Sequence, residues 1–256
     1  MCLINFQCQV HGEYPLIIAA NRDESYERPT AMAHFWEDHP GLLAGRDLLE
    51  LGTWLGITKS GRFAALTNYR DPKTMYQTFE KSRGDLVKNF LVGSLSPTEY
   101  LAKIQPQDNR YNGFNLLVGT MDELFYYNNI EREIVKVEKG THSLSNHFLN
   151  TPWPKVVKGK QKLQVITDRY DEIKHEQLFE LLTDREIAAD EFLPDTGVGQ
   201  TMERQLSPLF IQMDSYGTRS STALTIDRNN QVMFSERTYE QGALTDEVNF
   251  NFFIND

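Results

Sequence analysis

Apolar and polar residues alternate near both ends of the chain, whereas the middle carries apolar residues at helical spacing. Residues 2–9 alternate and are rich in β-formers; residues 14–20 repeat the pattern after a turn at His11-Gly12, which predicts a hairpin ending at Asn21. The polar stretch 22–30, closed by Pro29, is expected to be a loop. Three more hairpins are expected: 53–58 with 62–69, 114–119 with 123–127, and 221–227 with 231–237. Residues 248–254, with their alternating Phe side chains, form a closing strand. Between these strands, Ser82 is placed to cap a helix over 83–92, and Ser96-Pro97-Thr98-Glu99 is a capping-box start for 98–104. Residues 154–168 and 175–182 complete the helices. Strands enclosing central helices predict an α+β fold, mainly antiparallel, in one domain over residues 1–256.

Composition narrows the class. Aromatic residues make up 11% of the chain and apolar clusters recur throughout, which excludes disorder as the main state. The longest apolar run, near 15–20, falls well short of the roughly 20 residues that span a bilayer, and no secretory signal is visible. The balance of 26 Lys+Arg against 36 Asp+Glu gives −10, which argues against a nucleic-acid partner. Two cysteines are too few for a disulfide scaffold, and roughly 20 Å of strand separates Cys2 from Cys8. The expectation is a cytoplasmic protein with Cys8 in its core.

Cys2 carries the most chemistry. Residue 2 is small enough for the initiator methionine to be trimmed, leaving a cysteine with both a thiol and a free α-amine. That amine has an ordinary pKa near 7.7–8.0, so one residue would hold a nucleophile and its base. The alternative is an early cysteine with no role. Asn21-Arg22-Asp23-Glu24 is either a solvated loop or a cluster returned by the first hairpin to the chain's start. In the second case a carboxylate would hold the amine, and an arginine would favour the thiolate.

Met-Cys-Leu-Ile followed by Ala-Ala-Asn-Arg-Asp-Glu resembles the NRDE family, relatives of the transport and Golgi organisation protein. Further blocks extend the resemblance over nearly the whole chain, among them Gly45-Arg46-Asp47, Gly52-Thr53-Trp54, Thr67-Asn68-Tyr69-Arg70, Ser82-Arg83-Gly84, Leu144-Ser145-Asn146, Thr151-Pro152-Trp153-Pro154-Lys155 and Gly217-Thr218-Arg219. This family is similar in expected fold to N-terminal-nucleophile hydrolases of the penicillin V acylase and bile salt hydrolase type. The resemblance implies a four-layer αββα sandwich, with Cys2 as nucleophile and Asp23 holding its amine. It also implies Asn146 as an oxyanion donor and Arg219 as a late active-site arginine. The acylases place an arginine just before the asparagine of the Asp23 block; this chain has Ala20 there and Arg22 inside the block. Asn21, Arg22, Glu24, Arg46 and Asn68 are taken as substrate-binding candidates.

No His-Glu-x-x-His, Cys-x-x-Cys or phosphate-cradling glycine pattern occurs, so neither a metal nor a nucleotide cofactor is expected. His142 and His147 are read as hydrogen-bonded histidines, with iron ligation as the alternative. Lys155, Lys158, Lys160 and Lys162 are read as a solvated helix face, with docking of coenzyme A phosphates as the alternative. Arg22, Arg46, Arg70, Arg83 and Arg219 would suit a carboxylate or phosphate if they converged. The expected function is hydrolysis or acyl transfer at a small amide or thioester by Cys2. The alternative is a non-catalytic binding or trafficking protein for acyl-coenzyme A, lipid or haem, these entering only as ligands. A homo-oligomer is left open.

Overall fold

The computed structural model describes residues 2–74 and 77–255. Its first hairpin pairs β1 (Cys2–Cys8) with β2 (Leu16–Ser25), Cys2 opposite Arg22 and Leu3 opposite Asn21. Then follow β3 (Thr30–Phe35), β4 (Leu42–Asp47), β5 (Leu55–Thr58), β6 (Phe63–Asn68), α1 (Gly84–Val92) and α2 (Pro97–Ile104). After a 3-10 turn come β7 (Phe114–Gly119), β8 (Leu124–Asn128), β9 (Val135–Lys136), β10 (Gly140–Leu144), α3 (Pro154–Arg169) and α4 (His175–Leu182). The described chain closes with α5 (Gln200–Leu206), β11 (Tyr216–Ile226), β12 (Gln231–Glu240) and β13 (Ala243–Phe253).

The strands form two antiparallel sheets, β10-β1-β2-β11-β12-β13 and β3 through β9 in chain order. Strand alternation sorts the side chains. Ile4, Phe6 and Cys8 of β1 and Leu16, Ile18 and Ala20 of β2 face the other sheet, meeting Leu55, Ile57, Phe63, Ala65 and Leu117. Leu3, Ile17 and Ala19 point the opposite way, under Val156 and Leu163 of α3 and Leu178 and Phe179 of α4. The second sheet's outer face packs under Leu86, Val87, Phe90 and Leu91 of α1 and Tyr100, Leu101 and Ile104 of α2. The result is the expected order of helices, sheet, sheet, helices. No helix among the described residues is long and apolar enough to cross a membrane.

Two expectations are corrected. Residues 22–25 are strand, not loop, because β2 lies between β1 and β11, and β11 pairs along it from Leu16 to Ser25. Their backbone groups are satisfied on the ladder whatever their side chains prefer in isolation. The α1 cap is Arg83 without a side-chain hydrogen bond, rather than Ser82. Short or glycine-flanked β3, β4, β9, β10 and α5 carry too few periodic positions to be read from sequence, whereas the capping box at Ser96 and Glu99 forms as expected.

Candidate active site

The parity that sends Ile4 and Ala20 between the sheets sends Cys2 and Arg22 the same way, at the open end of the sandwich. Cys2 is half-buried and lines a cavity of about 310 Å³ with Arg22, Glu24, Trp54, Asn68 and Arg83 among its walls. The second sheet and α1 supply the far wall through close backbone packing. A Cβ on Gly52 would lie 2.6 Å from the Gly84 carbonyl carbon, so only glycine lets the β4–β5 connection seat against the start of α1, beside Arg83. A Cβ on Gly45 would lie 2.3 Å from the Trp54 ring. Trp54 in turn carries the Arg22 guanidinium 4.2 Å above its face, and Arg22 donates to Thr30 at 3.2 Å.

Asp23 occupies the next position along β2 and therefore reaches the helix side of the sheet, where it is buried. Its Oδ1 accepts from the Thr218 hydroxyl at 2.8 Å, and its carbonyl accepts from the Tyr216 hydroxyl at 2.8 Å, both from neighbouring β11. Lys155, in the first turn of α3, is 2% exposed; its Nζ has no hydrogen-bond partner among the described residues, and it interacts electrostatically with Asp23, Arg70, Cys2 and Glu203. Arg70 and Glu203 form a buried ion pair at 2.8 Å, and Trp153 stacks 4.9 Å from the Arg70 guanidinium.

Burial pushes the Cys2 thiol above its ordinary pKa, and the Asp23 charge adds to the rise; Arg22 and the Asp23 backbone N–H pull the other way. Burial also raises Asp23, against Lys155 and the Thr218 hydrogen bond. Burial lowers Lys155 to about 8, with Asp23 opposing the fall and Arg70 adding to it. Cys2 is therefore held as the thiol.

The remaining candidates divide. Asn68 lines the cavity, and Asn146 is buried behind it, donating to the Asn68 carbonyl at 2.9 Å while its own carbonyl accepts from the Arg70 N–H. Asn21 turns to the helix layer, donating to the Leu182 and Leu209 carbonyls at 2.9 Å and accepting from Ser221. Arg46 is held by Asp38 and stacked on Trp36, away from the cavity walls. Arg219 lies at the β11 bulge and ties the carbonyls of Ser25, Tyr26 and Arg28, also off the cavity walls. Of the five arginines considered for convergence, Arg22 and Arg83 line the cavity.

The lysine stretch is corrected. Lys155 is buried, whereas Lys158 and Lys162 are partly exposed and paired with Asp184, so the solvated reading fails at Lys155. The helical period held the signal: Lys155 shares a face with Gly159 and Leu163, both buried. Glu203 left no comparable mark, since its helix is seven residues long. His142 and His147 each use both ring nitrogens in hydrogen bonds, to Glu138 and Asn150 and to Tyr69 and Thr151 respectively. Met1 lies outside the described residues.

A family model described as Transport and Golgi organisation 2 matches residues 1–241. The chain is 35% identical over 258 residues to the human Transport and Golgi organization protein 2 homolog, covering 93% of each. It is 27% identical over 267 residues to Drosophila melanogaster Transport and Golgi organization protein 2, covering 93% of this chain and 92% of that one. Among solved structures it is similar to a variant of conjugated bile acid hydrolase from Clostridium perfringens, with a TM-score of 0.56 at 9% identity, covering 100% of this chain and 97% of that one. It is also similar to the Caenorhabditis elegans ortholog of N-acylethanolamine-hydrolyzing acid amidase, with a TM-score of 0.50 at 11% identity, covering 87% and 92%. At these identities the shared feature is the fold, that of N-terminal-nucleophile hydrolases.

Proposed function

The chain belongs to the Transport and Golgi organisation 2 family, and we propose that it is a cysteine N-terminal-nucleophile hydrolase or acyltransferase acting on a small amide or thioester. One observation carries this: the Cys2 side chain opens into the cavity at the end of β1, while Asp23 sits one residue beyond its ladder partner on β2. Catalysis requires that Met1 be removed. The α-amine of Cys2 then takes the thiol proton as sulfur bonds to the substrate carbonyl carbon. The amine, now an ammonium, gives that proton to the leaving amine or thiol as its bond to carbon breaks. Water, deprotonated by the same amine, attacks the thioester, and the carboxylic acid leaves as the Cys2 thiol is restored.

The oxyanion needs a donor at the cavity wall. The Asn146 amide is committed to the Asn68 carbonyl, so the donor role goes to the Asn68 side chain, with Asn146 and a backbone N–H in support. Removing such a donor is expected to cost about 10²–10³ in rate. A volume near 310 Å³ sits at the lower end of ligand pockets, roughly 300–1,000 Å³, and favours a small substrate. Arg28 is paired with Asp47 and Arg22 lies 4.0 Å from Glu24, so Arg83, which donates to the Gly113 carbonyl and faces Cys2, is the wall cation best placed to meet a substrate carboxylate or phosphate.

The curated relatives are named for transport and Golgi organisation, which supports a second use of the same cavity, ligand binding without turnover. A panel of small amides and thioesters, with and without a carboxylate, separates the two when assayed on Met1-free wild-type chain and on Cys2→Ala. Turnover confined to the wild type is expected. Equal rates in both proteins, or binding with no turnover in either, would overturn the hydrolase.

A further inference from the structure

We propose that Lys155 is a positioning residue of this site: its buried ammonium neutralises Asp23 from the helix side and so leaves the Cys2 α-amine as a free base. The proposal rests on the assignment of Cys2 as an amino-terminal nucleophile.

The placement of Lys155 is built into how α3 lies on β1. Pro154 starts the helix at a position where a missing N–H costs little. One turn on, Gly159 crosses Asn5 so closely that a Cβ would lie 2.2 Å from the Asn5 side-chain oxygen. Further along, Thr167 accepts from Gln7 at 2.7 Å. These contacts fix the helix register against β1, and Lys155, one turn before Gly159 on the same face, falls toward the Cys2 end of the strand. A buried cation without a hydrogen-bond partner is costly, and an apolar residue of similar size would pack there at lower cost. Its compensation is the field of Asp23.

Counting charges shows what that arrangement does. The groups facing Lys155 are Asp23 on β2, Cys2 on β1, Arg70 beyond β6 and Glu203 on α5, with Tyr216 of β11 touching Asp23. Arg70 and Glu203 cancel as a pair, and on the cavity side of Cys2 Arg22 lies 4.0 Å from Glu24 while Arg83 faces both Glu24 and Cys2, so that side adds no net negative charge. Asp23 and Lys155 remain, and Lys155 stays mostly protonated at neutral pH. With Asp23 already matched, an α-ammonium would leave one uncompensated positive charge in the buried cluster, so the amine gives up its proton. Without Lys155 the same carboxylate would hold that ammonium and block it as a base. The α-amine thus titrates low because a second buried amine already balances the Asp23 charge.

The test uses the full chain labelled with [13C]cysteine, in which Cys2 Cα reports the amine, Cys2 Cβ the thiol, and Cys8 serves as internal reference. In Lys155→Met the Cα midpoint is expected to rise by about one pH unit, a tenfold loss of free amine below it, and Lys155→Arg should restore it. Should Lys155→Met fail to fold, the Lys155 13Cε signal, assigned by its loss in Lys155→Arg, is titrated in wild type and in Asp23→Asn. Its midpoint should fall when the Asp23 charge is removed, since coupling is reciprocal. An unmoved Cα midpoint in a folded, Met1-free Lys155→Met chain overturns this proposal alone, as does a Lys155 midpoint indifferent to Asp23. Met1 retained on the mature chain would overturn the hydrolase and this proposal together.

Discussion

The two outer helix layers are built differently. Against the second sheet, α1 and α2 bury Leu86, Val87, Phe90, Leu91, Tyr100, Leu101 and Ile104, with the Tyr100 hydroxyl donating to the Leu86 carbonyl. Against the first sheet, α3 and α4 bury Lys155, Gly159, Thr167 and His175 beside their apolar residues. Beneath them, Asn5, Gln7, Asn21, Ser143 and Thr225 are buried polar residues on the sheet itself. A layer that serves only stability has no need of these groups, since each buried polar atom must be hydrogen-bonded or lose free energy. The difference marks α1 and α2 as apolar packing that meets the cavity only at its start, by Arg83 and Gly84, and α3 and α4 as a polar layer behind Cys2 and Asp23.

The largest effect should come from the apolar layer and leave the site alone. Phe90→Ala is expected to cost about 3–5 kcal/mol by cavity formation, read by denaturant unfolding, with the reactivity of Cys2 unchanged in the folded fraction. A change in that reactivity would show that the two layers are coupled.

Acid should load the polar layer. Burial lowers His175 to about 4, so the stability it contributes is present above its ordinary pKa of 6.5 and is lost as pH falls through 4. Glu236, buried on β12, runs the other way. Burial raises it to about 7, and its contribution is present below 4.5 and lost as pH rises through 7. The two nearly offset between pH 7 and 4.5. Glu236→Gln should uncover a loss of up to about 3 kcal/mol on acidification, with hydrogen exchange opening α4 before α1. A level profile in that variant would count against the buried, neutral His175.

Gly159→Ala should destabilise by about 1–3 kcal/mol through overpacking on Asn5, and it should disturb Cys2 titration as well, because it lifts α3 from β1. The smallest effect is Ser96→Ala, which removes the α2 capping box at a cost of about 1 kcal/mol and should leave the site untouched.

Much of this was legible along the chain, and the parts that were not share a cause. Strand alternation around Cys2, the hairpin that returns Asp23, and the long helix at 154 are local patterns, and the structure contains them. That Asp23 through Ser25 continue β2 depends on β11, some 190 residues away, and no local signal announces that pairing. Lys155 looked like part of a solvated stretch because charge outweighed periodicity; its partner Asp23 is distant in sequence. Arg219 was implied by the resemblance and Arg46 taken as a binding candidate, yet Arg219 Nη1 donates to local carbonyls and Arg46 pairs with Asp38, both off the cavity walls.

The central claim is that Cys2 is a freed amino-terminal nucleophile facing the cavity. It is tested most directly by exposing fresh, untagged chain to p-nitrophenyl acetate for seconds, followed by intact mass and peptide mapping. Met1 absent, with an acetyl group that appears first on Cys2 and then decays, is the predicted result. Met1 retained, or acetylation that spares Cys2 while reaching surface lysines, would contradict it.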